Sequence, residues 1–190
     1  MSADLPDGGS ERGLNRAVAI TVVILSVFMG ISKVKDDNIV QAMQQAKADA
    51  NDRWSQYEAL RTKLHVAETA RQEIALIGLS ADAGAVPQVR AALSTLDASI
   101  AKYGKEGPQI QAQARGNEGR YDALNIHDDQ FDLSDALISI ALSLAAVAAL
   151  TEQRWLLWSS WAAAAAGLVM GVAGFFGWSL HPDALAALLS

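Results

Sequence analysis

Residues 133–180 decide the fold and read LSDALISIALSLAAVAALTEQRWLLWSSWAAAAAGLVMGVAGFFGWSL. Two apolar runs, 133–150 and 155–180, are separated only by the polar residues 151–154. A helix rises 1.5 Å per residue, so a run of about 20 residues covers the ~30 Å hydrocarbon core of a bilayer. The tryptophans at residues 155, 158, 161 and 178 lie near the ends of the second run, where aromatic belts form. The stretch therefore predicts two transmembrane helices joined by a tight link.

A further apolar run lies near the start of the chain, at residues 17–32, AVAITVVILSVFMGIS. Arg16 precedes it and Lys33 and Lys35 follow it, and all three can extend their charged ends to the lipid headgroups. A cleaved signal peptide is the competing interpretation. The region before the run is acidic, however, and no small-residue cleavage site follows Phe28 and Met29. We therefore expect an uncleaved transmembrane helix over residues 14–35.

The overall composition supports a membrane protein and excludes several other classes. The chain has 190 residues, of which 51% are hydrophobic and only 19% charged, and it contains no cysteine. Thiol catalysis, zinc–thiolate sites and disulfide-stapled folds are therefore excluded. The net charge of −6 disfavours nucleic acid as a partner, because an acidic chain repels phosphate.

Between the first two apolar runs lies a charged stretch, residues 36–132, with a helical pattern. From Ile39 to Ile74 its apolar residues recur at intervals alternating around 3.5, as in a coiled-coil seam. Gly78, Ser80, Gly84 and Pro87 predict a turn, and a second apolar series runs from Val89 to Tyr103. Glycines 104 and 107 with Pro108 predict an interruption of that second helix.

These features together predict an all-α membrane protein with three transmembrane helices and an extramembranous antiparallel helical hairpin, or coiled-coil stalk. The two arms of the stalk have similar lengths, about 63 and 69 Å as helix, so both can begin and end at the membrane. The predicted segments are a disordered tail (1–13), a first span (14–35), the hairpin (36–132), a second span (133–150), a third span (155–180) and an interfacial C-terminal segment (181–190).

Two groups of residues are candidates for helix association. A single helical hairpin buries only a narrow seam, so neighbouring copies are expected to complete its packing. The stalk candidates are Trp54, Tyr57, Leu60, Leu64, Leu93, Leu96 and Ile100. Within the third span, Gly167, Gly171 and Gly174 place small residues along one helix face. These glycines can serve association within the protomer or between copies, or reflect the frequency of glycine in membrane helices.

An acidic group leads directly into the second span, and it has two interpretations. At helical spacing, Asp128, Asp132 and Asp135 share one face. Repeated around an oligomer, they would form an acidic collar that concentrates cations or holds a divalent ion. The simpler interpretation is that Asp132 caps the helix that begins at Leu133 and Asp135 complements its dipole.

No catalytic residues and no cofactor are predicted. The three histidines, at positions 65, 127 and 181, form no metal-binding motif, and no phosphate-binding loop follows a strand. The expectation is a protein that is not an enzyme.

Short motifs in a fixed order nevertheless resemble a known family. They are KVKDDNIV at residues 33–40, DRWSQY at 52–57, HDDQFD at 127–132 and LTEQRW at 150–155. This order is similar to that of the bacterial inner-membrane proteins grouped as domain of unknown function 4337. The resemblance covers the chain from about residue 17 onward and implies three spans, but it brings no activity, substrate or cofactor. Relatives often carry several basic residues in the short link, where this chain has only Arg154.

The distribution of basic residues bears on orientation. Arg12, Arg16 and Arg154 lie on one side of the predicted spans, against Lys33 and Lys35 next to a span on the other. Together with the resemblance, this predicts a bacterial inner-membrane protein with a cytoplasmic N-terminus and a periplasmic stalk. Its expected partners are the lipid bilayer and either further copies or a larger membrane complex. The expected function is an oligomeric scaffold, a partner-docking module or an accessory subunit, with an oligomeric ion channel or channel regulator as the alternative.

Overall fold

A computed structural model describes residues 8–178 as three α-helices. Helix α1 comprises Gly8–Gly78, α2 comprises Val86–Thr151 and α3 comprises Arg154–Phe176. No strand occurs among these described residues. The predicted all-α fold is thereby confirmed.

Each of the three helices contains a stretch long and apolar enough to cross a membrane. In the isolated chain, large apolar side chains of these stretches are exposed, among them Val23 at 63%, Val27 at 58% and Trp158 at 67%. Such continuous apolar exposure is unusual for a soluble chain and is expected of a surface that contacts lipid. The fold therefore indicates a membrane protein, as the sequence predicts.

Helices α1 and α2 continue without a break across the predicted borders between the membrane spans and the charged stretch. No helix ends at residues 35–36 or 132–133, and the turn between α1 and α2 occupies residues 79–85. The interruption expected at Gly104, Gly107 and Pro108 does not occur, since α2 is continuous there. Pro108 and Gly104 are both exposed, so water can satisfy the carbonyl group that the proline ring leaves without a donor.

The expected terminal segments fall mostly outside the described residues. Because α1 begins at Gly8, residues 8–13 of the expected disordered tail are helical. Extending an existing helix by a residue costs far less than starting one, which explains this continuation. Residues 1–7 and the expected interfacial segment 181–190 lie outside the described range.

The chain divides into two compact units. The described part of unit 1 consists of residues 8–43 and 122–178, and unit 2 consists of residues 44–121. Unit 1 thus holds the three apolar stretches, whereas unit 2 holds most of the charged stretch.

Unit 1 is held together by two apolar clusters to which all three helices contribute. One contains Leu14, Val18 and Leu157 with two alanines of α2, and the other contains Leu25, Ile138 and Ala164. The indole nitrogen of Trp161 in α3 donates to Thr21 Oγ1 in α1 at 2.9 Å. Three helices pairwise in contact therefore form this unit.

Unit 2 consists of one segment of α1 and one of α2, in contact along their length. Trp54 Nε1 donates to Glu118 Oε1 at 2.8 Å, and further along α1 the Arg71 guanidinium pairs with Asp97. Gly78, at the end of α1, approaches Val89 near the start of α2. Partners on α2 move backwards as α1 advances, so the two segments are antiparallel.

The positive φ of Glu152, in the link between α2 and α3, can be tested by substitution. Glu152 and Gln153 alone separate the two helices, and Glu152 has a φ of 57°, which a residue with a Cβ atom adopts at a cost. We expect Glu152→Gly to stabilise the chain by roughly 0.5–1 kcal/mol, the relief of this strain less the added entropy of the unfolded chain.

The change is measured by thermal unfolding in detergent micelles. Gln153→Gly is the matched control, because Gln153 is extended at φ −92° and gains nothing from glycine. Equal effects of the two substitutions would contradict the assignment of strain to Glu152.

Candidate functional site

The residues with the most unusual environment lie in unit 1, where the acidic face of α2 meets α1. Asp128, Asp132 and Asp135 share this face of α2, as predicted from their spacing. Their electrostatic neighbours on α1 are Lys33 and Asp36. The structure thus brings a residue that the sequence analysis did not single out, Asp36, to the predicted acidic group.

Asp36 is almost completely buried, with 3% of its surface exposed. Lys33 Nζ binds Asp36 Oδ2 at 2.7 Å and lies 3.6 Å from Asp37 Oδ1, and Lys33 itself is exposed. The second oxygen of Asp36, Oδ1, is buried without a hydrogen-bond partner. A buried carboxylate oxygen without a donor is costly and requires an explanation.

Two further buried oxygens lack a hydrogen-bond partner, Ser32 Oγ and Asp135 Oδ1. Ser32 lies one helical turn before Asp36 and is fully buried. Its position shows how sequence reasoning could have found Asp36. The buried residues of α1 from Ser32 through Asp36, Ile39 and Met43 to Ala46 follow alternating steps of four and three. The apolar seam recognised from Ile39 onward therefore continues backwards through two polar residues.

The Asp128 carboxyl group lies within hydrogen-bonding reach of Asp36. Partial burial of Asp128, with the negative charges of Asp132 and Asp36 beside it, raises the pKa of Asp128 to about 6. Asp132 is exposed on the same face and Asp129 accepts a hydrogen bond from Asn125 at 3.3 Å. Burial, together with the charge of Asp36, also raises the pKa of Asp132.

Within the described part of the chain, no group of three or more His, Cys, Asp or Glu side chains is placed to hold a metal ion. The three carboxylates of the expected collar thus share a face without converging on one point. Asp135 and Asp128 are half-buried within unit 1, so part of this face is directed into the protomer.

The glycines of α3 are in contact with the other two helices of the same protomer. A Cβ atom on Gly167 would lie 2.9 Å from Ile138 Cγ1 and 3.1 Å from the Ser134 carbonyl oxygen. One on Gly171 would lie 2.7 Å from the Phe28 ring, and one on Gly174 would lie 2.8 Å from Phe131. Of the two forms of association that the spacing allowed, the structure shows packing within the protomer.

Two serine hydroxyl groups of this contact reinforce it. Ser134 Oγ donates to the Gly167 carbonyl oxygen at 2.8 Å, and Ser160 Oγ donates to the Ala141 carbonyl oxygen at 2.7 Å. Both serines are fully buried. Short polar side chains that bond a neighbouring backbone are characteristic of helices packed inside a bilayer.

We expect Gly167→Ala to destabilise unit 1 by about 1–3 kcal/mol, because the nearest atoms include a backbone oxygen that cannot move aside alone. Thermal unfolding of the purified protein in micelles measures the change. Gly30→Ala is the control, because Gly30 also lies in a helix of unit 1 but has nothing within 4 Å of the added methyl group. A Gly167→Ala protein as stable as the Gly30→Ala protein would contradict close packing at this position.

The predicted association residues of the stalk all lie in unit 2 and are half-buried. They are Trp54, Tyr57, Leu60, Leu64, Leu93, Leu96 and Ile100. Trp54 and Tyr57 form an edge-to-face pair with ring centres 5.7 Å apart. The fully buried residues of unit 2 are all small: Ala46, Ala50, Ala67, Gly107 and Ala114. The seam of unit 2 is therefore filled by small side chains, and the large ones remain partly uncovered.

Two grooves run along unit 2. A mainly apolar groove of about 330 Å³ is lined by residues that include Val66, Ala67, Leu96 and Tyr103. A polar groove of about 390 Å³ is lined by Asp49, Asp52, Arg53, Gln56, Gln113, Gly116 and Asn117. The apolar groove contains one of the predicted association residues, Leu96, and the exposed side chain of Val66.

A family model described as "Domain of unknown function (DUF4337)" matches residues 14–177, which is most of the chain. The chain belongs to the DUF4337 family. This confirms the resemblance seen in the short motifs. No curated protein and no solved structure matches the chain. The DUF4337 match covers all three helices, and therefore both compact units.

Proposed function

We propose that this DUF4337 protein is a non-enzymatic integral protein of the bacterial inner membrane that acts as an oligomeric scaffold. In this proposal unit 1 is the membrane part, and unit 2 is a hairpin stalk that associates with further copies of the chain. A larger membrane complex that uses the same stalk surface is the variant of this proposal. The N-terminus is placed in the cytoplasm and unit 2 in the periplasm, on the basis of Arg12, Arg16 and Arg154.

The incomplete burial of the large apolar residues in unit 2 carries the proposal. An antiparallel helix pair needs an apolar seam, and here only alanines and one glycine are fully buried. Leu60, Leu64 and Leu96 are half-buried and Val66 is 64% exposed. Burying a fully exposed Val or Leu side chain gains about 1.5–3 kcal/mol, and covering the exposed part of each of these residues gains a share of that amount. A second copy that covers several of them therefore gains a favourable free energy of association.

The apolar groove gives this association a location. It lies between the two helical segments of unit 2, with Val66 and Ala67 on α1 and Leu96 and Tyr103 on α2. Large apolar side chains of another copy can enter a groove of this size and complete the packing, as additional helices do in bundles.

We expect Leu96→Glu to reduce the assembly to monomers, because it places a charge in the groove that a second copy must cover. Native mass spectrometry or light scattering of the detergent-solubilised full chain measures the mass. Ser94→Glu is the matched control: it adds the same charge on the same helix, at an exposed position outside the groove.

Circular dichroism of both variants verifies that the helices remain. A wild-type protein that is monomeric in mild detergent would overturn the scaffold proposal. Loss of assembly in Ser94→Glu equal to that in Leu96→Glu would place the association elsewhere.

The channel alternative stays a prediction that rests on the shared face of Asp128, Asp132 and Asp135. The proximity of Asp128 to Asp36 of the same chain favours the scaffold, because that carboxyl group is engaged within the protomer. Cation flux in proteoliposomes that falls when the three aspartates become asparagine would favour the channel instead.

A further inference from the structure

We propose that Asp36 and Asp128 form a proton-binding site, in which the carboxyl group of Asp128 carries the proton and donates it to Asp36 Oδ1. The ligand is a single proton, held between α1 and α2 in unit 1. This inference is independent of the scaffold function.

The distribution of hydrogen-bond donors around Asp36 is the first observation behind this site. Lys33 Nζ occupies Oδ2 at 2.7 Å and leaves the buried Oδ1 without a donor. A residue that is 3% exposed has little access to bulk water, so a donor for Oδ1 has to lie directly beside it. The Lys33 ammonium group can donate to Asp36 but cannot accept, and an ionised carboxylate accepts hydrogen bonds only.

The neighbour within reach of Asp36 is another carboxyl group, that of Asp128. Two ionised carboxylates in contact repel each other and cannot form a hydrogen bond, whereas one carboxylic acid and one carboxylate can. A proton on Asp128 therefore removes the repulsion and satisfies the unpartnered oxygen of Asp36 at the same time.

The division of roles between the two residues follows from their surroundings. The positive charge beside the pair, that of Lys33, contacts Asp36. Asp128 has the carboxylates of Asp129 and Asp132 on its own helix and Asp36 on the other, and all three favour its protonation. Asp37 on α1 lies 3.6 Å from Lys33, and Asp135 lies further along α2. Helix α3 has one charged residue, Arg154, at its first position. The other end of α3 is the one near the acidic residues, because the carbonyl oxygen of Trp178, just after α3, accepts a hydrogen bond from Gln130 on α2.

The proton couples the contact between α1 and α2 to pH. An Asp in the unfolded chain has a pKa of 3.8, and Asp128 in the folded chain has one of about 6. The folded chain therefore binds more protons than the unfolded chain between these values, and stability falls as pH rises through this interval. Well above pH 6 Asp128 has lost its proton and can no longer donate to Asp36, so the contact is at its weakest.

The experiment compares the full chain with three variants in micelles or lipid nanodiscs, with a chelator present. The wild-type melting temperature is expected to fall as pH rises from about 4 to about 6 and to level off above that value. Asp128→Asn provides a permanent donor to Asp36 in the same geometry, so this step is expected to become much smaller, with a remainder from Asp132, and the stability at pH 7.5 to exceed that of the wild type. Asp37→Asn, which removes an exposed carboxylate beside the same lysine, is the matched control and is expected to keep the step.

Asp36→Asn distinguishes a shared proton from a general loss of packing. It replaces a negatively charged acceptor next to Asp128 with a neutral amide that can also donate, so the midpoint of the remaining titration is expected to shift downward, towards the ordinary 3.8. The infrared band of a protonated carboxyl group gives a direct readout: in the wild type it is lost with a midpoint near 6, and in Asp128→Asn this loss is absent.

Three results would overturn the proposal. The step or the infrared band could persist unchanged in Asp128→Asn. The Asp36→Asn midpoint could equal that of the wild type. Finally, Ca²⁺ or Mg²⁺ added at pH 7.5 without chelator could raise the melting temperature of the wild type but not of Asp128→Asn, which would make the pair a metal site instead.

Discussion

Unit 1 depends on the close approach of α3 to its two neighbours through glycine. Inside a bilayer, lipid chains are as apolar as leucine, so burial of apolar surface does not drive helices together. Dispersion contacts and buried hydrogen bonds remain, and both require short distances between backbones. Gly167 and Gly171 provide these distances, because side chains of α1 and α2 occupy the space where a Cβ atom would lie. The hydrogen bond from Ser134 to the Gly167 carbonyl oxygen exists only at this separation.

Unit 2 meets a different constraint, because water drives its apolar residues inwards. Its buried seam positions are occupied by small residues, among them Ala46, Ala50 and Ala114. Leu60, Leu64 and Leu96 therefore lie at the borders of the seam and are only half covered. Small residues thus complete the packing in unit 1, where three helices meet, but leave it incomplete in unit 2, where there are only two.

The sequence predicts the helices well because their causes are local. Runs of apolar residues at 17–32, 133–150 and 155–180 are long enough to specify three membrane-capable helices without reference to their neighbours. The turn after Gly78 is likewise specified by glycines and a proline, with Pro87 in the first turn of α2, where its missing N–H group costs nothing. The continuity of α2 at Pro108 was not predictable in this way, since it depends on tertiary contact. A Cβ atom on Gly107 would lie 3.5 Å from Leu60 and 3.7 Å from Tyr57, so the neighbouring helix packs against the weak point.

The acidic group shows why a site is harder to predict than a helix. Spacing along α2 places Asp128 and Asp132 on one face, but it carries no information about what faces them. Asp36 lies about 90 residues away in sequence, and on its own helix it looks like an ordinary partner for Lys33, which it also is. Its burial follows from its place in the seam, four residues after Ser32 and three residues before Ile39. A carboxylate at such a position loses most of its hydration. Lys33 donates a hydrogen bond to only one of its two oxygens, and the other has no partner. The second oxygen needs a donor from the opposite helix, and that helix offers carboxyl groups. The stability of this contact is therefore set by protonation rather than by packing alone.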